Sequence, residues 1–213
     1  AQPNVIGCDF SGNYTTGTDA SAYISEGYGG AISLCSSSNS VVSNCVFKSN
    51  VSSRFGGGAI GTYTMAPPSS LYCYSSQFEG NIGFDGGAIK LRYPGQIYDC
   101  TFITNSSTGT TGGGAVIVWA CNDNLASLFA NSTFVGNTAV NAGGAIAGWE
   151  QSPSQPALQV HNSTFVGNFG KRAIALQRNN ALTSLNSISS SILWANMEGT
   201  VPNDLHGGFS NVV

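Results

Sequence analysis

The chain has 213 residues, enough for one domain or one elongated repeat array with a sizeable core. Only 8% of them are Asp, Glu, Lys or Arg, against roughly a quarter in an ordinary globular chain. A net charge of −3 leaves no broad basic face for a nucleic acid, and Ser, Thr, Asn and Gly carry the polarity instead.

From the N-terminus, Val5, Cys8, Phe10 and Asn13 open a series that keeps its internal spacing. It returns as Val42/Cys45/Phe47/Asn50, Cys73/Ser76/Phe78/Asn81, Ile97/Cys100/Phe102/Asn105, Phe129/Ser132/Phe134/Asn137 and Val160/Ser163/Phe165/Asn168. A degenerate copy follows at Ile188/Ser191/Leu193/Asn196. Between these units runs a second series, a Gly-Gly-Ala-aliphatic word at Gly29, Gly57, Gly86, Gly113 and Gly143, broken to Lys171-Arg172-Ala173-Ile174 in its sixth copy. The small and aromatic columns lie two residues apart, so both point one way on a strand. Apolar residues alternate again after each Gly-Gly-Ala, as in Ile89 and Leu91, with Lys90 and Arg92 between them marking an outer face.

Each copy therefore holds at least two strands. Copies are spaced from 24 residues (Phe78 to Phe102) to 37 (Phe10 to Phe47), so loops change length while the columns persist. That is the behaviour of a solenoid. No copy shows a helical pattern or a capping box, and the short all-strand period predicts a parallel β-helix of about seven rungs spanning residues 1–213. Equivalent residues then stack about 4.8 Å apart. The asparagines Asn13, Asn50, Asn81, Asn105, Asn137, Asn168 and Asn196 are expected to form a hydrogen-bonded ladder and to enter the left-handed region at a corner. The glycine pairs are expected to supply positive φ and close backbone approach at another corner.

The combination of Gly-Gly-Ala-aliphatic with Phe-x-x-Asn resembles the repeat of the chlamydial polymorphic outer membrane proteins, and the match runs from Phe10 to Asn196. The resemblance implies a right-handed parallel β-helix with an extracellular adhesive or structural role, and implies no enzyme.

Four residues after each Ala lies an outward column. In it Tyr63, Arg92, Trp119 and Trp149 form a stripe that suits sugar rings or another protein. Loops after Tyr63 (TMAPPSS) and Trp119 (ACNDN) are alternative covers for the same stripe. Five sequons begin at Asn13, Asn50, Asn105, Asn131 and Asn162. A buried ladder amide cannot carry a glycan, so Asn131 and Asn162 are the preferred sites, with Asn13 next because it lies in a terminal rung. Six cysteines suit a secreted protein. Cys8 and Cys45 share a column in adjacent rungs and are expected to form a disulfide. Cys35, Cys73, Cys100 and Cys121 are left unassigned.

Parallel β-helices similar to pectate lyases and polygalacturonases place clustered carboxylates on one outer face. Here no two of the ten acidic residues share an outward column in adjacent rungs, and no Asp-x-Asp occurs. The expectation is a protein without catalytic residues, metal or cofactor. No apolar run approaches membrane-spanning length. An opening at Ala1, without Met or a leader, reads as a processed mature chain or an excised segment. No cap is evident at either end, and DLHGGFSNVV reads as the start of another rung. The expected function is that of an extracellular or cell-surface glycoprotein that stacks end to end into a homopolymeric filament. A monomeric carbohydrate-binding adhesin using the aromatic stripe is the alternative, and a polysaccharide lyase or hydrolase ranks third.

Overall fold

A computed structural model describes residues 3–16, 28–35, 39–63, 70–119, 126–149, 157–177, 186–202 and 204–206. Every strand pairing in the described residues is parallel except one. The chain is an all-β parallel β-helix, and its longest sheets carry seven stacked strands, one per rung.

Each full rung contributes to four sheets rather than the two strands visible in the repeat words. The first sheet runs from Asn4–Ile6 to Ser187–Ser189 and the second from Asp9–Ser11 to Ile192–Trp194. The third begins with Tyr14–Thr15, uses two-residue strands as far as Thr138–Ala139, and continues by single bridges through Phe169 to Met197. The fourth runs from Ile32–Cys35 to Leu205–His206 and contains the residues that follow each Gly-Gly-Ala.

The register follows the columns. Val5, Val42, Cys73, Ile97, Phe129, Val160 and Ile188 are successive partners in the first sheet. In the second sheet Phe10, Phe47, Phe78, Phe102, Phe134 and Phe165 stack with ring centroids 4.7–4.9 Å apart and nearly parallel planes. Together with Ile60, Ile89, Val116, Ile146 and Ile174 these columns fill one continuous core.

Corner chemistry differs from the sequence-based expectation in two respects. The left-handed residue at the ladder corner is the one before each Asn: Gly12, Ser49, Gly80, Thr104, Gly136, Gly167 and Ala195. Turning the chain one residue earlier leaves the Asn amide free to point along the stack. A second left-handed column, Gly7, Asn44, Ser75, Asp99, Asn131, Asn162 and Ser190, turns the chain between the first and second sheets. The paired glycines do not have positive φ. They are required by proximity: a Cβ on Gly57 would lie 2.5 Å from the Lys90 amide, and one on Gly58 would lie 2.2 Å from the Gly87 carbonyl.

Candidate functional site

The ladder is continuous from the first rung to the last. Each asparagine donates its backbone N–H and its Nδ2–H to the Oδ1 of the next, at 2.8–3.1 Å. From Asn50 onward each Nδ2 also donates to the carbonyl of the preceding rung's phenylalanine, at 2.9–3.0 Å. Asn50 through Asn196 are fully buried, whereas Asn13 is exposed.

A second ladder occupies the small column. Ser76, Ser132, Ser163 and Ser191 each donate to the carbonyl two residues back and accept from the amide of the rung before. Cys45 substitutes for serine here, its thiol directed to the Ser43 carbonyl and accepting from the Cys8 amide. Cys8, Cys45, Cys73 and Cys100 are all free thiols in this structure, so the expected Cys8–Cys45 disulfide is not formed in it; Cys8 and Cys45 are each turned along their own rung toward a carbonyl, Cys8 toward that of Ile6. The alternation of Cys and Ser is a hydrogen-bonding pattern.

The two ends are unlike. At the first rung Val5, Cys8 and Phe10 are half-buried, although their column mates one rung in are fully buried. At the last rung Ile188 and Asn196 remain buried, while Ser191 and Leu193 are half-buried as Cys8 and Phe10 are. The Asn196 Nδ2 donates to the Asp204 carboxylate at 3.0 Å, the bond an eighth ladder asparagine would otherwise accept. Beside it, Val201–Pro202 pairs antiparallel with Met197–Glu198. An antiparallel edge strand carrying a proline blunts further parallel pairing, because proline has no N–H to donate. Leu205–His206 then completes the fourth sheet against Ile174–Ala175. The expectation of an uncapped C-terminal end is thus corrected at the third corner. Residues Asp204–His206 finish the seventh rung, while residues 207–213 lie outside the described residues.

The outer face of the fourth sheet is not open. Lys90, expected to face out, is 4% exposed. Its ammonium lies 2.5 Å from the Asp85 carboxylate and donates to the Phe55 carbonyl at 2.6 Å. It also sits 5.2 Å from the Tyr28 ring centroid and 4.8 Å from that of Trp119. Ile117, Ala142 and Ala147 form a small second core on this face, with Trp119 against it. The cover comes from the segment leading into each Gly-Gly-Ala word, which folds back over the strand of the neighbouring rung. Gly57 against Lys90 is one such approach.

The stripe exists in register, and it is partly internal. Trp119 pairs with Trp149, and the Arg92 amide donates to the Thr62 hydroxyl at 2.7 Å. The Arg92 guanidinium is 5.7 Å from the Trp119 ring centroid. Tyr63 is stacked by Tyr28 at 4.6 Å. Tyr63, Arg92 and Trp119 are each half-buried. Of the two loops named as covers, residues 64–69 of TMAPPSS and all of ACNDN (120–124) lie outside the described residues, as does Cys121.

The sequons divide by position. Asn131 and Asn162 are exposed on the left-handed corner column, with φ of 52° and 47°. Asn50 and Asn105 are buried, with their Nδ2 groups committed to the ladder.

Burial holds Lys90 below the ordinary lysine range, with Asp85 opposing the shift. Among the described residues no group of three or more His, Cys, Asp or Glu is arranged to hold a metal, and no helix is long and apolar enough to cross a membrane. Compared with family models, with curated proteins and with solved structures, the chain shows no match.

Proposed function

We propose that the chain is an extracellular structural or adhesive glycoprotein, a non-catalytic rod that assembles end to end with further copies of itself. The observation that carries this reading is the unbroken stack: the rings from Phe10 to Phe165 and the asparagine ladder from Asn13 to Asn196 repeat one rung geometry, so another copy in the same register would meet the same contacts. Strands stacked in this way are templates for another strand. The neutral surface adds no strong like-charge repulsion between copies.

In such a stack the strands Ser187–Ser189 and Ile192–Trp194 would receive Asn4–Ile6 and Asp9–Ser11 of the next copy. Asp204 holds the acceptor position that Asn13 of the next copy would take on Asn196, so joining requires Asp204 to give way.

Electron microscopy of the native material, without refolding, tests the reading. Seven rungs at about 4.8 Å give an axial repeat of roughly 34 Å for copies stacked head to tail. Filaments with that repeat are the expected result. Isolated short rods, or closed pairs joined at their first rungs, would overturn end-to-end growth.

A further inference from the structure

Rungs three and four place two thiols against each other inside the solenoid. Cys73 lies in the inward column of the first sheet, beneath Ile97 of the next rung, and Cys100 lies in the small column three residues after Ile97. Their Sγ atoms are 3.7 Å apart, and both side chains are buried, at 0% and 1% exposure. Cys8 and Cys45 turn their thiols to backbone carbonyls. Cys100 reaches the equivalent carbonyl, that of Tyr98, at 3.1 Å, and meets a second sulfur besides.

We propose that Cys73 and Cys100 form a disulfide that clamps rung three to rung four when the chain folds under oxidising conditions. The sulfurs are already in van der Waals contact, and the bond requires about 2.05 Å. Closing it requires the Cys100 thiol to leave the Tyr98 carbonyl. The oxidant is a small-molecule or protein disulfide. One cysteine thiolate attacks it, forming a mixed disulfide and releasing one thiolate. The second cysteine thiolate then attacks the mixed disulfide and releases the other. The two cysteines lose two protons and two electrons, and the oxidant is reduced to two thiols.

The site also fixes when the exchange happens. The neighbouring Cys100 thiol, then burial, push the Cys73 thiol well above its ordinary value. Thiolate is therefore scarce once rung four has closed over rung three, and exchange needs thiolate. The bond closes during folding and is afterwards shielded from reductant. This pairing is independent of the filament reading.

The test uses the full chain, denatured, reduced and refolded in a glutathione redox buffer, with a parallel sample refolded in excess reductant. Alkylation under denaturing conditions, digestion without reductant and mass spectrometry then locate the linkage. The expected result is one cross-linked peptide pair containing Cys73 and Cys100, with Cys8 and Cys45 alkylated. Alkylation of Cys73 and Cys100 in the oxidised sample, or linkage of either to a different cysteine, overturns the proposal.

Two variants taken from the protein's own columns keep the test independent of folding defects. Cys100→Ser copies Ser76 and Ser132, and Cys73→Val copies Val42 and Val160. The oxidised wild-type protein is expected to unfold at a higher denaturant concentration than the reduced one. Each variant is expected to lose that difference, and its persistence in Cys100→Ser would count against the assignment.

Discussion

The side chain and backbone N–H of Asn105 make five hydrogen bonds at a position with no solvent exposure: three as donor, to Asn137 and the Phe78 carbonyl, and two as acceptor, from Asn81. Asn105→Ala strands several of these groups, at about 1–3 kcal/mol each. The expected loss in urea unfolding is about 3–5 kcal/mol, against less than about 1 kcal/mol for Asn13→Ala at the exposed end of the same ladder. Lys90 and Asp85 form the other buried polar cluster, with side chains 5% and 2% exposed. Removing one partner strands the other, so Lys90→Met is expected to cost about 3–5 kcal/mol, and adding Asp85→Asn is expected to recover most of it. The pair also sets a pH dependence. Lys90 has a folded value below its unfolded one, so the unfolded chain holds this proton more tightly. The resulting penalty on folding is full below the folded value and fades as pH rises toward the ordinary lysine value. Wild-type stability should therefore gain over that alkaline window relative to the Lys90→Met/Asp85→Asn variant, which pH-resolved denaturant titrations would show.

At the scale of the strand and its corners, backbone geometry selects the sequence. The corner before the ladder takes glycine at Gly12, Gly80, Gly136 and Gly167, and Thr104 adopts the same left-handed conformation with φ of 50°. A β-branched residue there carries strain of about 1–2 kcal/mol. Thr104→Gly relieves it at a cost of about 0.5–1 kcal/mol in chain entropy. A net gain of up to about 1 kcal/mol is expected, read as a higher denaturant midpoint with an unchanged slope. The Gly-Gly words obey a different constraint. Their φ values are ordinary, and neighbouring backbone occupies the space a Cβ would need, as the Gly87 carbonyl does at Gly58. The repeat made these glycines visible. It did not distinguish a turn that needs positive φ from a corner that needs close approach, because both demand glycine.

At the scale of the whole molecule, the proposed glycoprotein reading says where glycans would fall, because Asn131 and Asn162 are exposed on a corner. Expressed through a eukaryotic secretory pathway, the protein is expected to lose one glycan mass step with Asn131→Gln and another with Asn162→Gln. Asn50 and Asn105 should be unmodified in folded protein, and a glycan on either would contradict the buried ladder. At rung seven, Asp204 and the Val201–Pro202 strand occupy the third corner. In the proposed stack of copies, joining requires them to give way.

The amino-acid sequence by itself determined the rung count, the inward columns and the ladder, because a solenoid stacks each residue on its own counterpart and so writes its contacts as a repeat. Phe10 to Phe165 and Asn13 to Asn196 were legible for that reason. Tertiary structure alone decided what lies across the columns. Lys90 reads as an outward residue by alternation, and it is buried because the segment before a neighbouring rung's glycines folds over it. Cys8 and Cys45 are close in register and unbonded, because thiol direction is set by the carbonyl two residues back. Cys73 and Cys100 meet from different columns, a contact no repeat records. Asp204 ends the asparagine ladder from outside the repeat, where a single carboxylate does what periodicity cannot announce.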